Sequence, residues 1–320
     1  MVQSTASRPC WYEGTVGKGL GSPAERQGTR LVKAEDVQKL CLTILGDEER
    51  YEPVSLEEDR PQMCMRRYIK LAQRIATALE EPRLFKELAA CSRGTYTYDL
   101  KMLVKTHKRE GSVSCRGVHS AVASSYKPLA HWVLSRIRQR SRHLPYVALN
   151  SKEIVKEVRG RRFHRHVILV TLDICDFYMS GFHEYMIRSV VRCGSTDAER
   201  EILKEALEFL NNHQFVTHES IPGAKFKVKK GSGMNLIHSG DVADLVLADC
   251  VEFYHLPNAD AILSYIRFRD DILVIADGVC KFYDWFLPFK NTAERHGFII
   301  KIEKNFIDRR RHVRLYRVQR

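Results

Sequence analysis

Two adjacent acids lie between two apolar runs in SYIRFRDDILVIADG, residues 264–278. Tyr265 to Phe268 and Ile272 to Ala276 have strand character, and Asp270 and Asp271 sit between them. An ionised carboxylate taken out of water is costly unless a positive group meets it, so the pattern asks for a cation. A third acid, Asp173, ends a separate apolar run, VILVTLD from Val167. If that run and the Asp-Asp hairpin are neighbours in one sheet, Asp173 and Asp270 converge at its edge and offer oxygens that suit hard divalent ions. Side chains alternate along a strand, so Asp270 and Asp271 point apart in regular geometry, and Asp270 is expected to be the primary ligand. Carboxylates bridging two magnesium ions roughly 4 Å apart would activate a hydroxyl and stabilise a leaving phosphate oxygen, as nucleotidyl transfer requires. Taken alone, an Asp-Asp pair reads as a solvated turn; the order of the surrounding motifs gives it weight.

The elements that must position these acids follow from periodicity. Residues 35–46 and 66–90 are helical, with Tyr68, Leu71, Ala72, Ile75, Ala78 and Leu79 on one face before Pro82 breaks the run. From 99 to 120 the chain turns extended and basic, and 126–139 reads as a helix opening near Pro128. After the 167–173 strand come helices around 185–191 and 197–210. A strand or hairpin around IPGAKFKVKKGSG then leads through a Gly-containing turn into a helix at 241–252. The Asp-Asp hairpin, a helix near 281–296 and a strand pair from Phe298 complete the chain. A tight hairpin implies antiparallel pairing, so the pattern predicts an α+β fold rather than a doubly wound sheet.

Composition points to a polyanionic partner. The 320 residues carry 52 Lys and Arg against 39 Asp and Glu, a formal net charge of +13, with 44% hydrophobic residues, enough for a sizeable core. The last fifteen residues, FIDRRRHVRLYRVQR, hold six arginines and one acid. Nine cysteines show no CxxC pair, which argues against a zinc ribbon or a disulfide framework and for reduced thiols inside a cell. No apolar run approaches a membrane span and no secretory leader is expected; Glu13 and Glu25 interrupt any transit-like character in the loose first thirty residues.

In this context several motifs resemble those of the reverse transcriptases. LDICDFY, 172–178, looks like the palm motif of an aspartate, four residues and an aromatic, and FRDD, 268–271, is similar to the aromatic-x-Asp-Asp motif. KKGSGMNLIHSGDVADL, 229–245, stands where the family has a Gly-rich turn and helix. LVKTHKREGSVSCRGV, 103–118, resembles the basic fingers segment, closest to Penelope-like elements, and GFIIKIEK, 297–304, the glycine-to-lysine motif.

The resemblance covers about residues 99–310 and implies a right-hand polymerase of fingers and an antiparallel palm, preceded by N-terminal helices, with the thumb absent or rudimentary. It implies residues 1–34 as a poorly ordered start, 35–98 as a helical extension and 99–320 as the fingers and palm. Asp173, Asp270 and Asp271 would hold Mg2+ or Mn2+, and Lys304 would serve the leaving pyrophosphate. Lys105, Lys108, Arg116, Tyr178, Gly231, Gly233 and Met234 would bind the nucleotide and template, with Tyr178 sensing the sugar 2′ position. His107, between two lysines with no partner histidine at ligand spacing, reads as a surface residue.

The implied activity is RNA-directed DNA polymerisation by a retroelement enzyme, with an RNA template, a DNA or RNA primer, deoxynucleoside triphosphates and no membrane partner; nuclear residence is the expectation. Three features favour a decayed or domesticated RNA-binding relic instead: Arg269 where the family prefers a small or apolar residue, Asn235 where relatives have glycine, and the short C-terminus; Gly117 in place of a proline is a further departure. The long cation of Arg269 is expected to crowd the primer end or compete with a metal. A viral-type RNA-directed RNA polymerase is the other alternative, against which the bulk of Tyr178 speaks.

Overall fold

The computed structural model describes residues 11–12, 32–55, 60–90, 94–104, 115–159 and 167–307. Strand β1 (Trp11–Tyr12) pairs with β2 (Val32–Lys33), which runs into helix α1 (Ala34–Leu45), followed by the short strand β3 (Tyr51–Pro53). The predicted helical stretch around 66–90 is two helices, α2 (Pro61–Ala78) and α3 (Pro82–Ala89), each with proline in its first turn, where the missing N–H costs nothing. Strands β4 (Thr97–Val104) and β5 (Cys115–Ser120) lead to α4 (Lys127–Ser141) and α5 (Ser151–Val158). Asn150 caps α5 by accepting from the backbone N–H groups of Lys152 and Glu153.

Next come β6 (Ile168–Cys175), a 3-10 turn at Phe177–Met179, α6 (His183–Val191) and α7 (Asp197–Asn212). Strands β7 (Phe215–Thr217) and β8 (Phe226–Val228) precede α8 (Ser239–Leu247), which continues through a π turn, Ala248–Glu252, into α9 (Phe253–His255). The hairpin is β9 (Ile262–Phe268) and β10 (Asp271–Ala276), and α10 (Val279–Arg295) and β11 (Ile299–Ile307) follow. Of the strand pair expected from Phe298, the described residues hold one strand, β11, whose partner is β6, far back in the chain.

The central sheet has the order β11-β6-β10-β9 and is antiparallel throughout. Its inner face is covered by helices: Val170, Leu172, Ile174, Ile272 and Val274 share a core with Val242 and Val246 of α8 and Phe282 and Phe289 of α10. In β6 the inward residues Ile168, Val170, Leu172 and Ile174 are each at most 5% exposed. Burying an aliphatic side chain is worth about 1.5–3 kcal/mol, and a slip of one residue would send all four outward and Asp173 inward. Hydrophobic alternation in β6 therefore fixes which face Asp173 occupies.

A second sheet, ordered β3-β8-β7-β4-β5, is mixed, since β4 runs parallel to β7 and the other pairs are antiparallel. Cys41 and Leu45 of α1 pack with Tyr51, Leu100, Val216 and Val228, and Met179 of the turn after β6 joins them. Helices α2, α3 and α4 contribute Tyr68, Ile75, Leu88 and Val133 to the main core. No helix among the described residues is long and apolar enough to cross a membrane.

Candidate active site

The antiparallel ladder sets Asp271 directly opposite Asp173, and on the other side of β6 Lys301 is the partner of Asp173. Direct cross-strand partners share a face, so these three side chains emerge together on the face opposite the helices. Phe268 pairs with Asp271, which leaves Arg269 and Asp270 as a two-residue turn; the Asp270 carbonyl accepts from the backbone N–H of Ile174 at 3.0 Å. A register shift between Ile302 and Lys304 makes Glu303 the extra residue of a bulge in β11, and bulges re-aim side chains.

Burial, then the Asp270, Glu303 and Asp176 carboxylates, push the Asp173 carboxyl above its ordinary range, and Lys301 opposes them. Burial, Asp270, Glu303 and Asp173 push the Asp271 carboxyl up in turn. Negative charge is thus concentrated at this end of the sheet, with Lys301 opposing it beside Asp173. The donor set is all oxygen, which suits a hard divalent cation. Among the described residues no three His, Cys, Asp or Glu side chains already close around a single ion point.

Arg269 does not enter this cluster. Its guanidinium turns back to α8, where it donates to Asp244 and lies 3.7 Å from Asp241. Room for it exists because residue 240 is glycine: a Cβ there would stand 2.8 Å from Arg269 Nη1. The residue expected to crowd the primer end or compete with a metal thus has its guanidinium directed to Asp244 on the helix side of the turn. The backbone of Arg269 is left-handed, φ 56°, a conformation that costs a non-glycine residue about 1–3 kcal/mol.

Behind the turn, Arg267 is fully buried and holds Glu252 through two bonds, Nε to Oε1 at 2.7 Å and Nη2 to Oε2 at 3.2 Å. Its Nη1 donates to Asp244 Oδ1 at 2.5 Å and to the Arg269 carbonyl at 3.0 Å. Tyr265 donates to Glu252 Oε1 at 2.8 Å, and Ser141 to Asp241 at 2.6 Å. Burial disfavours the charge on Arg267, but Glu252 and Asp244 outweigh it and hold the guanidinium protonated.

The predicted nucleotide-binding residues fall in three places. Tyr178, half-buried in the 3-10 turn, has its phenol pushed up by burial, with Arg269 and Arg116 opposing and Asp270 and Asp244 reinforcing. Arg116 stands exposed on β5. Gly231, Gly233 and Met234 form a connector between the Tyr178 turn and β5. Gly231 donates to the Gly181 carbonyl, Ser232 to that of Tyr178 at 2.7 Å, and His119 of β5 to that of Met234 at 2.9 Å. The two glycines are buried against protein: a Cβ on Gly231 (φ 72°) would lie 2.3 Å from the Met179 backbone, and one on Gly233 2.5 Å from the His119 ring. Asn235, exposed at φ 76°, fills a left-handed position with the residue that best tolerates it after glycine.

Lys105 and Lys108, with His107, lie outside the described residues. Lys304 follows the bulge with its backbone opposite Thr171, and its side chain is outside the described part. Sequence reasoning missed Glu303, the buried Arg267–Glu252–Asp244 network, and the ion pair of Arg50 with Asp176 at 2.8 Å, which ties the turn before β3 to the loop after β6. Two acids inside an apolar helix and an arginine inside an apolar strand were a signal for the network, since each needs an opposite charge once buried.

The two sheets and the helices packed on them make an α+β fold that solved structures share. The solved structures it resembles include telomerases. Apo telomerase from Candida tropicalis superposes with a TM-score of 0.57 at 11% identity, covering 93% of this chain and 52% of that one. The same enzyme truncated from its C-terminal domain gives 0.56 at 10%, covering 89% and 57%. Telomerase from Candida albicans in complex with a TWJ fragment of telomeric RNA gives 0.54 at 8%, covering 85% and 45%. The chain spans about half the length of these structures, and the likeness is one of fold. No protein-family model and no curated protein sequence matches the chain.

Proposed function

We propose that the chain is an RNA-directed DNA polymerase of retroelement origin, with the five-stranded sheet as fingers and the central sheet as palm. The observation that carries this reading is the ladder that sets Asp173 opposite Asp271 with Asp270 in the adjoining turn. Asp173 and Asp270, assisted by Asp271, would hold Mg2+ or Mn2+, which lowers the pKa of a primer hydroxyl and neutralises charge at the α-phosphate. Tyr178 closes the space beside the sugar and excludes a 2′-hydroxyl; Arg116, with Lys105 and Lys108, meets the triphosphate; Lys304 supplies positive charge or a proton to the leaving group. Substrates are deoxynucleoside triphosphates, an RNA template and a primer, and the basic surface makes binding salt-dependent. Nuclear residence goes with this reading.

The experiment is extension of a DNA primer on an RNA template in Mg2+ or Mn2+, by wild-type protein and Asp270→Asn. Product from the wild type and none from the variant supports polymerisation; equal extension by both removes it. A second reading, RNA binding without polymerisation, is favoured by the motif departures at Arg269 and Asn235. It draws on the telomerase solved with an RNA fragment and predicts salt-sensitive RNA affinity with no product from either protein.

A further inference from the structure

A two-residue hairpin turn with a positive φ at its first position is a site for glycine, because glycine alone adopts it without strain. This chain puts arginine there, at φ 56°. The conformation persists because both ends of Arg269 are held: its guanidinium by Asp244 with Asp241 beyond it, its carbonyl by Arg267. Gly240 leaves the space through which the guanidinium passes. Asp244 and Arg267 are themselves fixed, at 3% and 0% exposure. The very next residue is Asp270, whose carbonyl is tied to Ile174, the neighbour of Asp173.

We infer that Arg269 is a positioning residue, which clamps the Asp270–Asp271 turn to α8 and so sets the reach of Asp270 toward Asp173 for a shared divalent cation. The inference rests on the metal-binding part of the proposed function. Arg269 acts as an outer support: it touches no reacting atom, and its charge is neutralised on the helix side of the turn. Freed from the clamp, the turn still forms, but Asp270 samples positions in which the two carboxylates do not converge. Outer supports of this kind typically change metal affinity by about 10–100-fold.

The test is direct Mn2+ binding, read by the loss of the free-ion electron paramagnetic resonance signal, for the full chain as wild type, Arg269→Gly, Arg269→Lys and Asp270→Asn. Arg269→Gly suits the turn's φ, so the variant folds, as its melting curve reports. Its Mn2+ dissociation constant is expected to rise about tenfold or more, with a matching rise in the Mg2+ concentration for half-maximal primer extension and recovery of extension at saturating Mg2+. Arg269→Lys, which keeps a cation within reach of Asp244, is expected to stay within about threefold of the wild type. If Asp270→Asn loses Mn2+ but Arg269→Gly binds it as the wild type does, the clamp is wrong and the metal site stands. If the wild type binds no more Mn2+ than Asp270→Asn does, the metal reading and the clamp fall together.

Discussion

Asp173 and Asp271 are direct cross-strand partners, and the carboxyl of each is raised by burial first and then by acidic neighbours. Each binds its proton more tightly in the folded chain than in the unfolded one, so stability falls as pH rises from the ordinary value of 3.8 through the higher folded value. Asp173→Asn removes the repulsion. It is expected to raise Tm at pH 7 by no more than about 2 °C, because solvent screens a half-exposed group, and to leave Tm unchanged at pH 3. Millimolar Mg2+ is expected to raise the wild-type Tm and not that of the variant. Differential scanning calorimetry at both pH values checks this; a destabilised variant at pH 7 means that the acids do not repel.

Tyr178 is held edge-on against Phe177, ring centroids 5.6 Å apart, with Asp270 and Arg116 among its charged neighbours. On the proposed function, a ring so fixed would discriminate by bulk. Tyr178→Ala is expected to narrow the preference for deoxynucleotides over ribonucleotides by about tenfold or more, measured as the ratio of kcat/KM values, with deoxynucleotide incorporation reduced less. An unchanged ratio removes the steric role from Tyr178.

The parts of this site legible in the sequence were those with strong local patterns. Alternation in Val167 to Asp173 and the two runs around Asp270 specified strands, and the pairing that brings the acids together follows from a tight hairpin beside a buried strand. What stayed hidden depends on long-range geometry. The partner of β11 is set by sheet assembly, and no local signal distinguishes β6 from a strand after Ile307. Strands β3 and β7 have three residues each, too few for a period to show. The direction taken by the Arg269 side chain was unreadable, because it depends on the gap left at Gly240 on another element. Gly231 and Gly233 were legible as a Gly-containing turn, but their neighbours are the Met179 backbone and His119, which only the fold brings near.

Arg267 joins the hairpin to the helical layer through charge. Replacing it with methionine keeps much of the volume, leaves Glu252 without its cation and with the Tyr265 hydroxyl alone, and strips Asp244 Oδ1 of its donor while Arg269 stays on Oδ2. Breaking one side of a buried ion pair costs about 3–5 kcal/mol. Arg267→Met is expected to lower the unfolding free energy by that amount in urea titrations, and the additional change Glu252→Gln is expected to recover part of it. Additive losses in the double variant count against the two acting as one unit.

His119 and His238 are each 1% exposed, and each has an Nδ1 with no hydrogen-bond partner among the described residues. Burial pushes both rings down to about 4 from the ordinary 6.5. In the unfolded chain they take up protons near pH 6.5, well before the folded rings do, so stability falls as pH drops from about 6.5 to 4. This is opposite in sign to the effect of Asp173 and Asp271, and larger, because these groups are screened from water. Between pH 7 and pH 5 each histidine is expected to remove roughly 1–2 kcal/mol, seen as a lower urea midpoint. His119→Gln, which can still bond Tyr51 as the Nε2 of His119 does at 3.2 Å, is expected to abolish the share of that acid sensitivity that His119 carries. A variant that remains as acid-sensitive as the wild type would place the proton uptake elsewhere.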